Sequence, residues 1–263
     1  MTLAALPALQ APGIRDVLAG FLLSAADDEL VIGHRHSEWT GFAPDIESDV
    51  ALSSIAQEEI GHARLLYDHV AELLGGEPDA LAYGRGPEAF RNGVLVERPN
   101  GDWGYSVVRM VLYDHADAVR LEALAGGDAV APLADLARTL RREERYHVIY
   151  GAQWLRRLAG ASEDSRARVQ AALEAAWPEA GALLAPVEGQ DMLREAGVLA
   201  IDGASQQRRW REAVVPLLTD MGLRVPAGAG EARDGRRGAH TVDLTTLLDE
   251  MTSVWRSEPG ARW

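Results

Sequence analysis

Twice in this 263-residue chain a carboxylate is followed, 30 positions later, by Glu-x-x-His. Glu29 precedes Glu59-Ile60-Gly61-His62, and Asp114 precedes Glu144-Arg145-Tyr146-His147. The steps from 29 to 114, 59 to 144 and 62 to 147 are all 85 residues, so the chain repeats itself at three chemically matched positions. Of seven histidines, His62 and His147 are the two with a Glu three residues before them. On a helix that spacing puts both side chains on one face, a turn apart. The first face also holds Leu52, Ile55 and Leu66, and the second holds Leu133, Leu140 and Leu155. Glu29 shares a stripe with Leu18, Leu22, Ala25 and Ile32, and Asp114 shares one with Val107, Met110 and Leu121. Acids and imidazoles on apolar stripes point into a core, where each costs several kcal/mol unless something pairs it.

Apolar residues recur at helical spacing through most of the sequence, with no run of strand alternation. The pattern predicts helices from Ile14 to Glu38, from about Asp45 to Gly75, from Asp102 to Gly126 and from Asp128 to Gly160. Asp45, after Pro44, reads as an N-cap. A long connection, Glu77 to Gly101, separates the second and third helices and carries one expected short helix near Glu88 to Gly93. Short, long and short connections describe two hairpins joined by a crossover, the wiring of a ferritin-like bundle. Further helices are expected over Glu163 to Leu184, Ser205 to Met221 and Val242 to Trp255. The expectation is therefore all-α: one ferritin-like domain over residues 1–263, a four-helix core at about 14–160 and additional C-terminal helices at about 161–263.

In such hairpins each upstream carboxylate lies about as far before its turn as Glu-x-x-His lies after it. At 1.5 Å of rise per residue the spacing then brings Glu29, Glu59, His62, Asp114, Glu144 and His147 to one level. Four carboxylates and two imidazoles form the ligand set of di-iron and di-manganese carboxylate proteins, and such hard donors suit iron or manganese. Asp27, Asp28 and Asp117 lie close enough in sequence to replace Glu29 or Asp114. Glu58 and Glu143 point about 100° away and are expected in solvent. His34, His36, His69, His115 and His240 lack the pattern and are expected to be structural or exposed, and Tyr146 to pack.

The net charge is −14, from 40 acidic and 26 basic residues, which argues against nucleic acid as a partner. The chain has no cysteine, hence no disulfide, Cys-ligated zinc or ordinary iron–sulfur cluster. No apolar run is long enough to span a bilayer, and the first residues lack the charged start of a secretion signal, so a cytoplasmic protein is expected. With no dinucleotide fingerprint either, any electrons used here must come from another protein. The Arg233 to Arg237 stretch is expected to be a solvated loop. Trp177, Trp210 and Trp255 are candidate interface anchors.

Several segments are specific enough to resemble a known family. Ser37-Glu38-Trp39-Thr40-Gly41-Phe42-Ala43-Pro44, Asp49-Val50-Ala51-Leu52 and Gly61-His62-Ala63-Arg64 are similar to the PaaC-type subunits of phenylacetyl-CoA epoxidase. So are Leu95-Val96-Glu97-Arg98-Pro99-Asn100-Gly101-Asp102, the Glu144 to His147 stretch with Trp154 and Arg157-Leu158, Gly235 to Thr241, and Pro259 to Trp263. The resemblance runs from about Gly20 to Trp263. It implies membership of an O₂-dependent monooxygenase complex that epoxidises the ring of phenylacetyl-CoA. In that family the catalytic subunit is a second ferritin-like chain, supplied by a reductase, and the PaaC-type chain is its structural partner, often with a degraded metal site. Glu59 and His62 depart from that pattern. The implied partner is the catalytic oxygenase chain, with the reductase indirect; alone, the chain is expected to form a homo-oligomer. The resemblance assigns it neither catalytic nor cofactor-binding residues beyond the possible iron site. A di-iron oxidase or oxygenase acting in its own right is the alternative, and an iron-handling protein a third, less suited to so long a C-terminal extension.

Overall fold

The computed structural model describes residues 3–228 and 233–258. Pro259 to Trp263, which carries part of the family resemblance, and residues 229–232 of the Arg- and Gly-rich stretch lie outside the described residues. The fold is all-α, with no strand among the described residues. Four long helices, α1 (Ile14–Ser37), α2 (Ile46–Leu74), α5 (Trp103–Ala125) and α6 (Ala131–Ala161), form two hairpins. Between the hairpins come the short α3 (Pro78–Tyr83) and α4 (Val94–Glu97). After them follow α7 (Glu163–Ala180), α8 (Asp191–Glu195), α9 (Gly203–Asp220), α10 (Val242–Met251) and α11 (Ser253–Ser257). No helix among the described residues is long and apolar enough to cross a membrane.

The chain divides into two compact units, each built around one hairpin. One takes residues 19–99 and 233–258 of those described, the other residues 3–18 and 100–228.

In the first unit Asp45 caps α2, its carboxylate accepting from the Ser48 amide at 2.8 Å, as its place after Pro44 predicts. The α1–α2 turn is pinned by the Gly41 amide on Asp49 (2.6 Å) and by the Thr40 and Ser53 hydroxyls (2.9 Å). Gly41 adopts φ +83°, which a side chain would strain. Gly33 on α1 lets α2 come close: a Cβ there would stand 2.9 Å from Ile60 Cγ1 and 3.1 Å from Glu59 Cβ. In the connection, Pro78 and Pro87 open short helical segments, as proline does in a first turn. Of the short helix expected near Glu88 to Gly93, only the 3-10 turn Pro87–Ala89 forms. Phe90 and Gly93 are extended, and the Arg91 and Gly93 amides donate to the carboxylates of Asp27 and Asp28 rather than along a helix.

In the second unit Asp102 caps α5 through the Tyr105 amide (2.8 Å), and Ser162 and Asp202 cap α7 and α9. α5 is buried along most of its length, because α6, α7 and α9 all pack against it. Gly151 on α6 sits at Val111 and Met110 of α5, where an added Cβ would meet atoms at 3.2–3.4 Å. Trp177 of α7 stacks on Trp210 of α9 with ring centroids 5.4 Å apart, and the Trp210 indole donates to the Leu112 carbonyl at 3.0 Å. At 2% and 3% exposure these two rings are core, not interface anchors. Aromatic area this large is worth more in a dry stack than at a surface. Trp255, the third, is half-buried beside Tyr83.

Candidate metal centre

Three consecutive acids on α1, Asp27, Asp28 and Glu29, are all fully buried, and the structure gives each a different set of partners. Asp27 accepts from the Tyr67 hydroxyl (2.6 Å), the Arg91 amide (2.7 Å) and both terminal nitrogens of Arg85. Burial and the Asp27 charge push the Tyr67 phenol well above its ordinary range, so it stays a donor. Burial works against the Arg85 cation, but Asp27 more than offsets it and raises its pKa. Asp28 accepts from the Gly93 amide (2.7 Å) and, in fork geometry, from Arg236 at 3.0 and 2.7 Å. Both aspartates are therefore engaged by guanidinium groups and backbone amides.

Glu29 faces α2 instead. Its Oε2 lies 3.6 Å from His62 Nδ1, and ligand atoms of Glu29, Glu59 and His62 all fall within 4.8 Å of one another. All three are buried, at 0–2% exposure. Two carboxylates and an imidazole converging in an apolar interior form a donor set that fits a hard or borderline divalent cation such as iron or manganese. A cation there would offset the burial cost of the carboxylates.

The second unit holds the matching residues. Glu144 and His147 of α6 are buried and in contact, with His147 Nδ1 3.2 Å from Glu144 Oε2, the one-turn geometry that Glu-x-x-His implies. Asp114 is fully buried on α5 but forms no close ligand triplet with Glu144 and His147. Its alternative Asp117 stands 3.4 Å from Arg120 of the same helix, whose guanidinium also donates to the Leu183 carbonyl.

The sequence shows little of how the segment after residue 232 is used. Arg236, expected in a solvated loop, is 8% exposed, because three buried acceptors (Asp28 and the Ser24 and Arg91 carbonyls) converge on it. Arg237, whose side chain is 76% exposed, does lie in solvent. Glu97 is the second anchor of this segment. Its carboxylate accepts from Thr241 amide and hydroxyl (both 2.7 Å), Asn92 (3.0 Å) and His240 Nδ1 (2.8 Å). His240 Nε2 meets the Phe90 carbonyl at 3.0 Å. Both ring nitrogens face acceptors, an arrangement that favours the doubly protonated ring. Burial alone would lower its pKa, but the bonds to Glu97 and Phe90 and the charges of Glu97 and Asp27 raise it. His34, by contrast, is lowered to about 4 by burial. His115 is lowered by burial, partly offset by the Val111 carbonyl. The only signal for these contacts was the coincidence of three adjacent buried acids with arginines in the loops.

Two comparisons bear on this arrangement. Residues 7–263 match the family PaaA_PaaC, described as phenylacetic acid catabolic protein. The C component of 1,2-phenylacetyl-CoA epoxidase from Escherichia coli (strain K12) is 32% identical to this chain over 247 residues, covering 94% of it and 99% of the relative.

Proposed function

Since the chain belongs to the PaaA_PaaC family of phenylacetic acid catabolic proteins, we propose that it is the structural partner in a multicomponent di-iron monooxygenase that epoxidises phenylacetyl-CoA. The observation that carries this reading is the 32% identity, along nearly the full length of both chains, to the C component of a 1,2-phenylacetyl-CoA epoxidase. The absence of cysteine supports it: the chain cannot carry an ordinary iron–sulfur cluster to reduce a metal centre. Its partner is a catalytic ferritin-like chain, which a separate reductase serves, and the complex works in the cytoplasm.

Glu29, Glu59, His62, Asp114, Glu144 and His147 form one two-metal site in this reading. The 85-residue repeat supports joining the two sets, and the contacts within each unit support each half. Bound iron would supply redox chemistry toward O₂. The chain's own residues set where it could sit: Glu29 and His62 hold each other in α1 and α2, and Arg236 and Arg85 keep Asp28 and Asp27 turned to other partners.

The buried Glu29–Glu59–His62 triplet also favours a second reading, a di-iron oxygenase active without another ferritin-like chain. Co-expression with the catalytic chain, followed by size exclusion and turnover of phenylacetyl-CoA, separates the two. The partner reading predicts co-elution, with no turnover by this chain plus reductase alone. Independent elution, or turnover without the second ferritin-like chain, would overturn it.

A further inference from the structure

The turn between α1 and α2 displays three large apolar side chains to solvent: Phe42 at 78%, Ile46 at 75% and Val50 at 64% exposure. Ile46 and Val50 are one helical turn apart on α2. The Gly41–Asp49 and Thr40–Ser53 bonds hold the turn against the start of that helix. The turn is thus a fixed platform, and a phenylalanine fixed in water is costly unless something covers it. The charged residues from position 38 to 50 are all acids, Glu38, Asp45, Glu47 and Asp49; Glu38 pairs with Arg35 of α1, which leaves Asp45, Glu47 and Asp49 to rim the platform.

A surface of opposite character lies on α6. Arg138, Arg142, Arg145, Ile149 and Arg156 are exposed and fall within about 60° of one another around the helix. Tyr146, 57% exposed, borders them. Arg138 is paired with Asp135 of the same helix, so in a chain of net charge −14 the stripe's positive charge rests on Arg142, Arg145 and Arg156, beside exposed apolar area.

We infer that the two surfaces pair between copies of this chain: the apolar, acid-rimmed α1–α2 turn of one molecule docks on the arginine-rich stripe of α6 in a second. The apolar areas cover each other and the carboxylates of one face meet the guanidiniums of the other, the pairing that fixes register and selects a partner. Two turns set against each other would oppose acid to acid, and two stripes arginine to arginine. The contact is therefore between unlike surfaces, reciprocal if it closes a two-fold pair.

The test needs only the purified full-length chain and two variants. One, Phe42→Ser/Ile46→Ser/Val50→Ser, removes the apolar platform; the other, Arg142→Glu/Ile149→Ser, reverses the stripe. Sedimentation equilibrium should give the wild type a mass above the 28.4 kDa of one chain and each variant alone the single-chain mass. Mixing the two variants should recover association, because each keeps the surface the other has lost. Circular dichroism checks folding, and Phe42→Ser and Arg142→Glu singly replace any multiple variant that fails to fold. A single-chain mass for the wild type, association unchanged in either variant, or no recovery in the mixture would overturn the pairing. So would a wild type that stays single while the same substitutions abolish binding of the co-expressed catalytic chain, since the platform would then belong to that chain. The inference does not rest on the epoxidase reading, which is tested by co-elution and turnover.

Discussion

Arg236 and Asp28, 208 positions apart in sequence, meet in fork geometry, each terminal nitrogen on its own carboxylate oxygen at 3.0 and 2.7 Å. The pair is buried, with side-chain exposures of 5% and 0%. Removing one partner of such a pair strands a charge, which costs about 3–5 kcal/mol. Arg236→Met should therefore lower the melting temperature by about 10 °C, and Arg236→Met with Asp28→Asn should recover much of the loss. A double-mutant cycle by thermal unfolding measures it.

Two histidines give stability opposite pH dependences. The folded pKa of His240 is raised, so its contribution is fully present below the ordinary imidazole value of 6.5 and is lost as pH rises through the folded value. His34 is lowered from 6.5 to about 4; the unfolded chain binds a proton that the folded chain refuses, so stability falls as pH drops from 6.5 toward 4. Melting curves of His240→Gln should differ from wild type more at pH 6 than at pH 9. Those of His34→Gln should show less loss on the acid side. A His240→Gln deficit that does not change with pH would contradict the imidazolium assignment.

Much of the fold was legible because it rests on local rules. Asp45 caps α2 where its position after Pro44 predicted, and the four long helices end within a few residues of expectation. Burial of Glu29, Glu59, His62, Asp114, Glu144 and His147 followed from helical period alone. What local rules could not supply was partner choice over long separations. Nothing near Asp27 or Asp28 in sequence told that Arg85 and Arg236 would claim them, leaving Glu29 to face His62. Trp177 and Trp210 likewise looked available until α7 and α9 were seen to stack them against each other.

Gly33 fixes how near α1 lies to Glu59. Gly33→Ala would place a Cβ 2.9 Å from Ile60 Cγ1 and 3.2 Å from the Ala56 carbonyl, an overpacking that costs about 1–3 kcal/mol. Thermal unfolding should show that loss, and metal retained by the variant should fall with it. Gly61→Ala, with nothing within 4 Å of the added atom, should show neither effect.

Trp210 ties α9 to α5. Trp210→Ala removes the stack on Trp177 and the bond to Leu112, and should cost about 3–5 kcal/mol. Trp210→Phe keeps most of the apolar area and should cost about 1 kcal/mol. Denaturant midpoints of the two variants measure the difference, and equal losses would place the energy in the indole hydrogen bond instead of the buried area.

The proposed six-residue site is tested most directly by iron content. The chain is loaded anaerobically with ferrous iron, desalted and analysed for metal beside a His62→Ala/His147→Ala variant whose folding is checked by circular dichroism. The wild-type chain should retain about two irons and the variant a small fraction of that. Equal iron in the two proteins would contradict the proposed site, showing the metal to be adventitious and leaving the chain a scaffold alone.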